Sequence, residues 1–138
     1  MVSEPQNDAS STLQPAAASG DFDGMISLFR GQNSLAPVRV NSQLAAIATA
    51  HAQDMARNGF FSHDGSNGST LQQRLRGSGY RACFGAENIG NGYPDERTVF
   101  QGWQGSTGHR RNMLARDARD YGLGRAGPYW VLVLAAPC

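Results

Sequence analysis

Apolar residues recur at helical spacing directly after residue 20. Asp21 can cap the first of these segments, and the apolar positions that follow are spaced i, i+3, i+4 and i+7: Phe22, Met25, Ile26 and Phe29. This stripe predicts an amphipathic first helix that ends between Gly31 and Asn33, with its aromatic side chains in the core.

A second and stronger stripe follows Pro37–Val40, which we interpret as an extended link. Asn41 or Ser42 can cap the predicted helix, and Gly59 can end it. Its apolar face carries Leu44, Ile47, Ala48, His51 and Met55. A lone histidine within an apolar face is more often a hydrogen-bonded core residue than a ligand, so we interpret His51 as structural.

Capping patterns predict two shorter helices. Ser69 and Gln72 fit a capping box for a helix from Leu71 to about residue 77. Asp95 can cap a fourth helix, whose inward positions are Val99 and Trp103. Three glycines loosen the end of that helix before His109: Gly102, Gly105 and Gly108.

The second half of the chain predicts strands. Residues 84 to 90 alternate small and larger side chains, which indicates a short strand or an extended turn. Tyr121–Arg125 and Tyr129–Ala135 flank a turn at Ala126–Pro128 and predict a hairpin. The second hairpin strand is continuously apolar, which indicates a central strand buried on both faces. Early helices and late strands predict an α+β sandwich with helices packed on a central antiparallel sheet.

Composition narrows the class of protein. The chain of 138 residues suits one domain, and its first 20 residues, rich in Ser, Ala, Gln and Pro, predict a flexible leader or linker before a domain at 21–138. A net charge of +1 argues against a nucleic-acid partner, and the absence of lysine excludes lysine-based covalent catalysis. No apolar run approaches the ~20 residues of a transmembrane segment.

The start of the chain and its two cysteines indicate the compartment in which the protein is found. The polar start Met1–Asp8 predicts a secreted, extracellular protein whose signal peptide is absent from this sequence. Cys83 and Cys138 would close a loop of about 55 residues, worth up to ~4 kcal/mol if bonded. The alternative is two free buried thiols in a cytosolic protein. A cysteine at the last position is hard to bury, so we favour the disulfide and an oxidising compartment.

Few residues could carry chemistry. The chain has three histidines and three glutamates, and some of these lie in glycine-flanked segments that resemble loops. The candidate segments are Ser62–His63, Gly85–Gly90 and Gly108–Arg110. We expect the fold to bring these three segments together.

Several motifs together resemble the CAP superfamily, which is named after cysteine-rich secretory proteins, antigen 5 and pathogenesis-related 1 proteins. The motifs are His51–Ala56, Phe61–His63, Gly85–Ile89, Trp103–Leu114 and Tyr121–Gly124. They occur in order over about residues 22 to 138. The chain is similar to bacterial SCP-like extracellular members of that superfamily.

The resemblance implies a secreted three-layer α-β-α sandwich with a cleft where two histidines and acidic residues meet, and in some members a bound divalent metal. By motif, His63 corresponds to the first cleft histidine, Glu87 to the glutamate of the G-E-N motif, and His109 to the second cleft histidine. Many eukaryotic members have a further glutamate between the first histidine and the G-E-N motif. This chain has none there, and Gln72 or Gln73 could take its place.

Two imidazoles and a carboxylate can form an open metal site, because neutral histidine nitrogens and carboxylate oxygens both suit zinc. We therefore name His63, Glu87 and His109 as candidate ligands for zinc or another divalent cation. The alternative is that Glu87 hydrogen-bonds backbone groups and holds the loops together without a metal.

Three functions remain open at this point. We favour a noncatalytic binding module, in which lipid or sterol could occupy an apolar groove lined by exposed aromatics such as Phe60, Phe61 or Tyr93. The second function is hydrolysis by a metal-bound water or by Ser62 activated by His63, with Glu87 as base or orienting group. The third is contact with a cell-envelope partner through the loops, with the leader as a tether. We expect a monomer.

Overall fold

The computed structural model describes residues 21–138. The predicted leader, residues 1–20, lies outside these described residues. The elements of the described part are, in order, α1 (Asp21–Gln32), β1 (Arg39–Val40), α2 (Ser42–Asn58), α3 (Leu71–Gly77), β2 (Ala82–Asn91), α4 (Glu96–Gln104), α5 (Thr107–Met113), β3 (Asp120–Ala126) and β4 (Tyr129–Pro137).

The helices begin and end where local chemistry favours it. The Asn41 side chain accepts a hydrogen bond from the Leu44 amide at 3.0 Å and caps α2, as predicted. At the other end, Gly59 adopts a left-handed φ of 66°, and its amide bonds the Met55 carbonyl. Asp95 caps α4, also as predicted.

The sheet has the order β1-β3-β4-β2, so β4 is internal and β2 is an edge strand. β3 and β4 form the predicted antiparallel hairpin, and β2 pairs antiparallel with β4. The short β1 pairs parallel with β3, which adds one parallel contact to the predicted antiparallel sheet. The segment that we predicted as an extended link therefore supplies the opposite edge.

Helices cover both faces of the sheet, which confirms the α+β three-layer prediction. Alternate residues of β4 enter two separate cores because successive strand residues face opposite sides. Trp130, Leu132 and Leu134 pack with residues of α1, α4 and α5. Val131, Val133 and Ala135 pack with residues of α2 and α3. The continuous apolar run of β4 is thus explained by burial on both faces.

Two glycines of β3 allow α2 to lie unusually close to the sheet. A Cβ atom on Gly122 would overlap the backbone at Leu44 and Ala45, and one on Gly124 would overlap the backbone at Thr49. The Tyr121–Gly124 motif therefore has a packing role, because α2 is pressed against β3 at these positions.

Three local predictions differ from the structure. The capping box of α3 uses Thr70 and Gln73, one residue later than the predicted pair Ser69 and Gln72, because Thr70 has the extended backbone of a cap. β2 is longer than the predicted residues 84 to 90. The glycine-rich end of α4 is followed by a separate helix, α5. The sequence did not predict α5 because glycine has a low helix propensity.

The predicted disulfide is confirmed. Cys83 and Cys138 are bonded and join the start of β2 to the end of β4. The bond links the two strands beside a bulge between Ala82 and Phe84, where the regular register is interrupted.

Candidate functional site

Glu87 is a buried carboxylate on the edge strand β2, with its side chain only 3% exposed. One carboxylate oxygen, Oε1, lies 2.9 Å from His63 Nδ1, and the other, Oε2, accepts a hydrogen bond from Arg74 Nη1 at 3.0 Å. Both oxygens are therefore engaged by the protein. A buried carboxylate needs such partners, because burial without them would be costly.

Arg74 is a residue of this site that the sequence reasoning missed. Besides Glu87, it donates a hydrogen bond from Nη2 to the carbonyl of His63, so it fixes both the acid and the loop. Arg74, and neither of the suggested glutamines, is the α3 side chain that bonds Glu87: Gln73 accepts from the Thr70 amide to cap α3, and Gln72 lines a different pocket. Helical spacing could have indicated this role, because Arg74 lies three residues after the inward-facing Leu71 and so on the same side of α3.

His51 holds the loop that contains Ser62 and His63 through a contact with its backbone. It is buried within the apolar face of α2, and its Nε2 lies 2.8 Å from the carbonyl of Ser62. This contact confirms the structural interpretation of His51, because it holds the backbone next to His63. The Ser62 hydroxyl accepts a hydrogen bond from the Asp64 amide at 3.1 Å, a local turn contact.

Helix α5 brings His109 to the same edge through its backbone. The buried Asn88 donates from Nδ2 to the His109 carbonyl at 3.1 Å. Asn112 Nδ2 donates to Asn88 Oδ1 at 2.9 Å and to the Glu87 carbonyl at 3.3 Å. The His109 ring is 6.5 Å from the Trp103 ring, measured between centroids. We call Glu87, His63, Arg74, Asn88 and Asn112, together with His109, the Glu87 cluster.

The three predicted segments do come together, but unequally. His63 contacts Glu87 directly, whereas His109 joins through its backbone carbonyl and Asn88. Asn88 and Asn112 lie inside two of the motif segments, directly after Glu87 and three residues after His109, and only their position in the fold reveals their role.

The pKa shifts of the Glu87 cluster have separable causes. Burial alone would raise the pKa of Glu87, but hydrogen bonds from His63 and Arg74 and the charge of Arg74 lower it below its ordinary value. The hydrogen bond to Glu87 raises the pKa of His63, against the opposing effect of burial. Burial and then the charge of His63 lower the pKa of His109. The contact between His63 and Glu87 therefore shifts both pKa values toward the charged forms.

The donor set can be tested against the metal that the resemblance implies. Residues 21–138 contain no group of three or more His, Cys, Asp or Glu side chains placed to hold a metal ion. Glu87 fits the role of a carboxylate that orients His63, since its oxygens already hold His63 and Arg74. His63 and His109 remain as donors, and the assignment of all three residues as ligands stays a prediction.

The aromatic residues predicted to line an apolar groove have different surroundings. Phe60 packs against the α2–α3 core, and Tyr93 packs against the core on the opposite face. Phe61 is 50% exposed and lies beside Tyr129, with 6.4 Å between ring centroids. One exposed ring does not form a groove, and the lipid or sterol ligand stays a prediction.

A scan against protein-family models matches residues 24–129 to the model described as "CAP: Cysteine-rich secretory protein family". The chain belongs to the CAP family. The match covers most of the described residues, including the whole Glu87 cluster. The resemblance seen in the sequence motifs is thereby confirmed.

Two curated relatives of this CAP domain come from Bacillus subtilis (strain 168). One, the uncharacterized membrane protein YlbC, is 29% identical over 77% of this chain. The other, the uncharacterized protein YkwD, is 27% identical over 73% of it. The chain spans 31% and 40% of the length of these two relatives, so they contain much sequence without a counterpart here.

A solved structure supports the same fold. An SCP-domain-containing extracellular protein from Bacillus anthracis str. Ames superposes with a TM-score of 0.82 at 26% identity. The match covers 91% of this chain and 45% of that one. No helix among residues 21–138 of the present CAP domain has the length and apolar character needed to cross a membrane.

Proposed function

We propose that this CAP domain is a noncatalytic, extracellular binding module that binds a divalent cation weakly through His63 and His109. In this arrangement Glu87 orients His63. The observation that carries the proposal is the fixed Glu87 carboxylate, held at 2.9 Å by His63 Nδ1 and at 3.0 Å by Arg74. With Nδ1 so anchored, the His63 side chain is 58% exposed and can offer its other nitrogen, Nε2, to a ligand.

The same contacts argue against hydrolysis. A general base must lie within hydrogen-bond reach of the proton that it removes. Glu87 is held by His63 at Oε1 and by Arg74 at Oε2, and the Ser62 hydroxyl accepts from the Asp64 amide in a local turn. A carboxylate on Nδ1 also orients the histidine of a serine triad, but among residues 21–138 no hydrogen bond joins His63 to the Ser62 hydroxyl, so a serine nucleophile is not assembled here.

Metal binding by two imidazoles suits this geometry. A histidine that ligates a metal commonly donates its other ring N–H to a carboxylate, which fixes the ring and its tautomer. Glu87 supplies that carboxylate for His63. With two protein ligands instead of the three or four of strong zinc sites, the affinity should be micromolar or weaker.

The extracellular setting rests on two supports. The disulfide between Cys83 and Cys138 is of the kind that persists in oxidising compartments. The solved neighbour from Bacillus anthracis is described as an extracellular protein. An oxidising location also protects the site from competition by cytosolic thiols for the metal.

Calorimetric titration of zinc into chelator-stripped protein at neutral pH tests the proposal. We expect one weak site in the wild type, and its loss in His63→Ala and in His109→Ala. Arg110→Ala, an exposed neighbour of His109, is the matched control and should bind like the wild type. Absence of wild-type binding, or binding unchanged in both histidine variants, would refute the metal site.

The noncatalytic part has its own test. The zinc-loaded protein should give no turnover on a panel of peptide and ester substrates. Turnover in the wild type that disappears in Glu87→Ala would overturn this part of the proposal and favour hydrolysis.

A further inference from the structure

The outer edge of β2 changes character along its length. Backbone groups of residues two apart point to the same side of a strand. Glu87 and Ile89 point outward, and side chains from α5 and α4 cap their carbonyls: Asn112 bonds Glu87, and Trp103 Nε1 bonds Ile89 at 3.0 Å. The regular register extends this alternation to Gly85. No side chain among residues 21–138 caps the outward groups of Gly85.

A pocket of about 310 Å³ lies beside this uncapped part of the edge. Its lining includes Gly85 and Phe84 from β2, Gln72, Leu75 and Arg76 from α3, and Arg81 from the connecting loop. We call this pocket the α3–β2 groove. It is separate from the Glu87 cluster, because Arg74 reaches the cluster from α3 while Gln72 and Arg76, four residues apart, share another face of that helix.

The α3–β2 groove has two arginines in its lining. Arg76 and Arg81 are exposed, and neither forms an ion pair with a carboxylate of residues 21–138. No acidic side chain is among the residues that line the groove. Leu75 and Phe84, which pack against the cores on opposite faces of the sheet, also line the groove, and we call this apolar part of the lining its floor. The groove thus combines positive charge, an apolar floor and unpaired strand backbone.

We infer that the α3–β2 groove binds an extended acidic peptide segment of a partner protein, which adds to the edge of β2 at Gly85. Backbone hydrogen bonds to an exposed strand edge supply affinity in this mode of recognition, and side chains on alternate residues supply specificity. Here Arg76 and Arg81 select carboxylates, and the floor accepts one apolar side chain between them. Gly85 is partly exposed, and its missing Cβ lets Leu75 of α3 pack against the strand, since an added Cβ would lie 2.9 Å from Leu75 Cδ1.

The sheet edge explains why a peptide fits better than a small anion. An exposed edge strand with free backbone groups is a template for another strand, and proteins usually block it. Two side chains cap the Glu87 and Ile89 carbonyls, yet no side chain of residues 21–138 caps the edge at Gly85, beside the two arginines. A site for a small anion would need the arginines alone and would not use the backbone of Gly85.

The test uses the full chain, labelled with ¹⁵N, and two capped pentapeptides. One has the sequence Thr-Glu-Val-Glu-Thr, and the other has lysine in place of both glutamates. We expect the acidic peptide to shift the amide resonances of residues 82–85 and to slow hydrogen exchange at Gly85. The lysine peptide should leave both unchanged at the same concentration. Raising the salt concentration should weaken binding, since the arginines are exposed.

Charge reversal supplies the matched variants. The double variant Arg76→Glu with Arg81→Glu should lose about tenfold or more in affinity for the acidic peptide and should gain affinity for the lysine peptide. The double variant Arg57→Glu with Arg97→Glu changes two exposed arginines outside the groove and should behave like the wild type. Melting curves of both variants check that each is folded.

Four results would overturn the inference. The first is no shift at residues 82–85 with millimolar acidic peptide. The second is binding that the reversal at Arg76 and Arg81 does not change. The third is a shift centred on the Glu87 cluster instead of the groove. The fourth is an equal effect from acetate alone, which would assign the arginines to a small anion and leave the strand edge without a role.

Discussion

The two halves of the outer edge of β2 differ in what happens to the backbone groups that an edge strand leaves unpaired. In the second half, an indole and an amide side chain cap the carbonyls of Ile89 and Glu87, and the Glu87 side chain is buried beside them. In the first half, around Gly85, no side chain of residues 21–138 caps the backbone, and the two neighbouring arginines form no ion pair within that part of the chain. The capped half is therefore suited to hold side chains in fixed positions, and the open half is suited to accept a partner.

This difference shows how one strand can serve two purposes. A preorganised site needs neighbours that lock its side chains, and the Glu87 cluster has them in Arg74, Asn88 and Asn112. A docking edge needs unfilled hydrogen-bonding groups, which the same caps would remove. Helix α3 separates the two, with Arg74 directed to one side and Arg76 to the other.

Removing the indole cap should have the largest effect. Trp103→Phe deletes the donor to the Ile89 carbonyl and leaves a void, because the Trp103 side chain is almost fully buried. We expect a loss of about 2–4 kcal/mol in the free energy of unfolding, measured in urea. Amide exchange in β2 should also rise.

The control for this change is Trp130→Phe, which removes an indole donor from the carbonyl of Tyr93 and not from the edge. It should also destabilise the protein, but without faster exchange centred on Ile89. Equal exchange in the two variants would show that the cap at Ile89 does not protect the edge.

Replacing the buried acid tests the electrostatics of the capped half. Glu87→Gln should cost about 1–3 kcal/mol near pH 6, because Arg74 and His63 lose a charged partner. The pKa of Glu87 is lowered on folding, so its contribution is present above its ordinary pKa of 4.5 and is lost as pH falls. The pKa of His63 is raised on folding, so its contribution is present below 6.5 and is lost as pH rises.

The destabilisation caused by Glu87→Gln should therefore be greatest between about pH 4.5 and 6.5 and should be smaller at pH 9. The decrease should be under about 1 kcal/mol, since the His63 side chain is 58% exposed and solvent screens the pair. Urea unfolding at pH 6 and pH 9 measures it. A cost that grows from pH 6 to pH 9 would contradict the pairing of His63 with Glu87.

The elements that the sequence predicts best are those with a local cause. The period of α2, with Asn41 and Gly59 at its ends, is enough to define that helix. The unbroken apolar run of β4 is enough to define a central strand. In both cases, neighbouring residues in the sequence supply most of the information, so the pattern and the fold agree.

The elements that were missed depend on distant contacts. Helix α5 contains Gly108 and follows Gly105, so its propensity is poor, yet Arg30 donates to the Met113 carbonyl from 83 residues away and holds its end. Arg74 is an ordinary helix residue in the sequence, and only the fold places it on Glu87. The motif resemblance identified His63, Glu87 and His109, but could not distinguish a ligand from a residue that orients one.

Arg74 offers a way to sharpen the proposed metal site. Arg74→Met removes the guanidinium that occupies Glu87 Oε2, which frees a carboxylate oxygen as a third ligand. We expect zinc to bind about tenfold more tightly, by calorimetry, and the gain to vanish when Glu87→Gln is added. Arg76→Met, on the groove side of α3, is the control and should not change zinc affinity.

Zinc titration of Arg74→Met also shows whether Arg74 prevents metal binding or has no effect on it. Zinc binding by Arg74→Met without any binding by the wild type would mean that Arg74 prevents metal binding in the natural protein. Unchanged or weaker binding in Arg74→Met would contradict the view that Arg74 withholds Glu87 from a metal.

The amide cap at Asn112 should have the smallest effect, because Asn112 is only partly buried and water can replace part of its role. Asn112→Ala should cost about 1 kcal/mol in the free energy of unfolding, through loss of the bonds to Asn88 and the Glu87 carbonyl. Amide exchange in α5 should rise around His109. Arg111→Ala, exposed on the same helix, should stay within about 0.5 kcal/mol of the wild type. If the two variants were equally stable and exchanged alike, α5 would be held by its apolar contacts and Arg30 alone, and the two halves of the edge would differ only at Trp103.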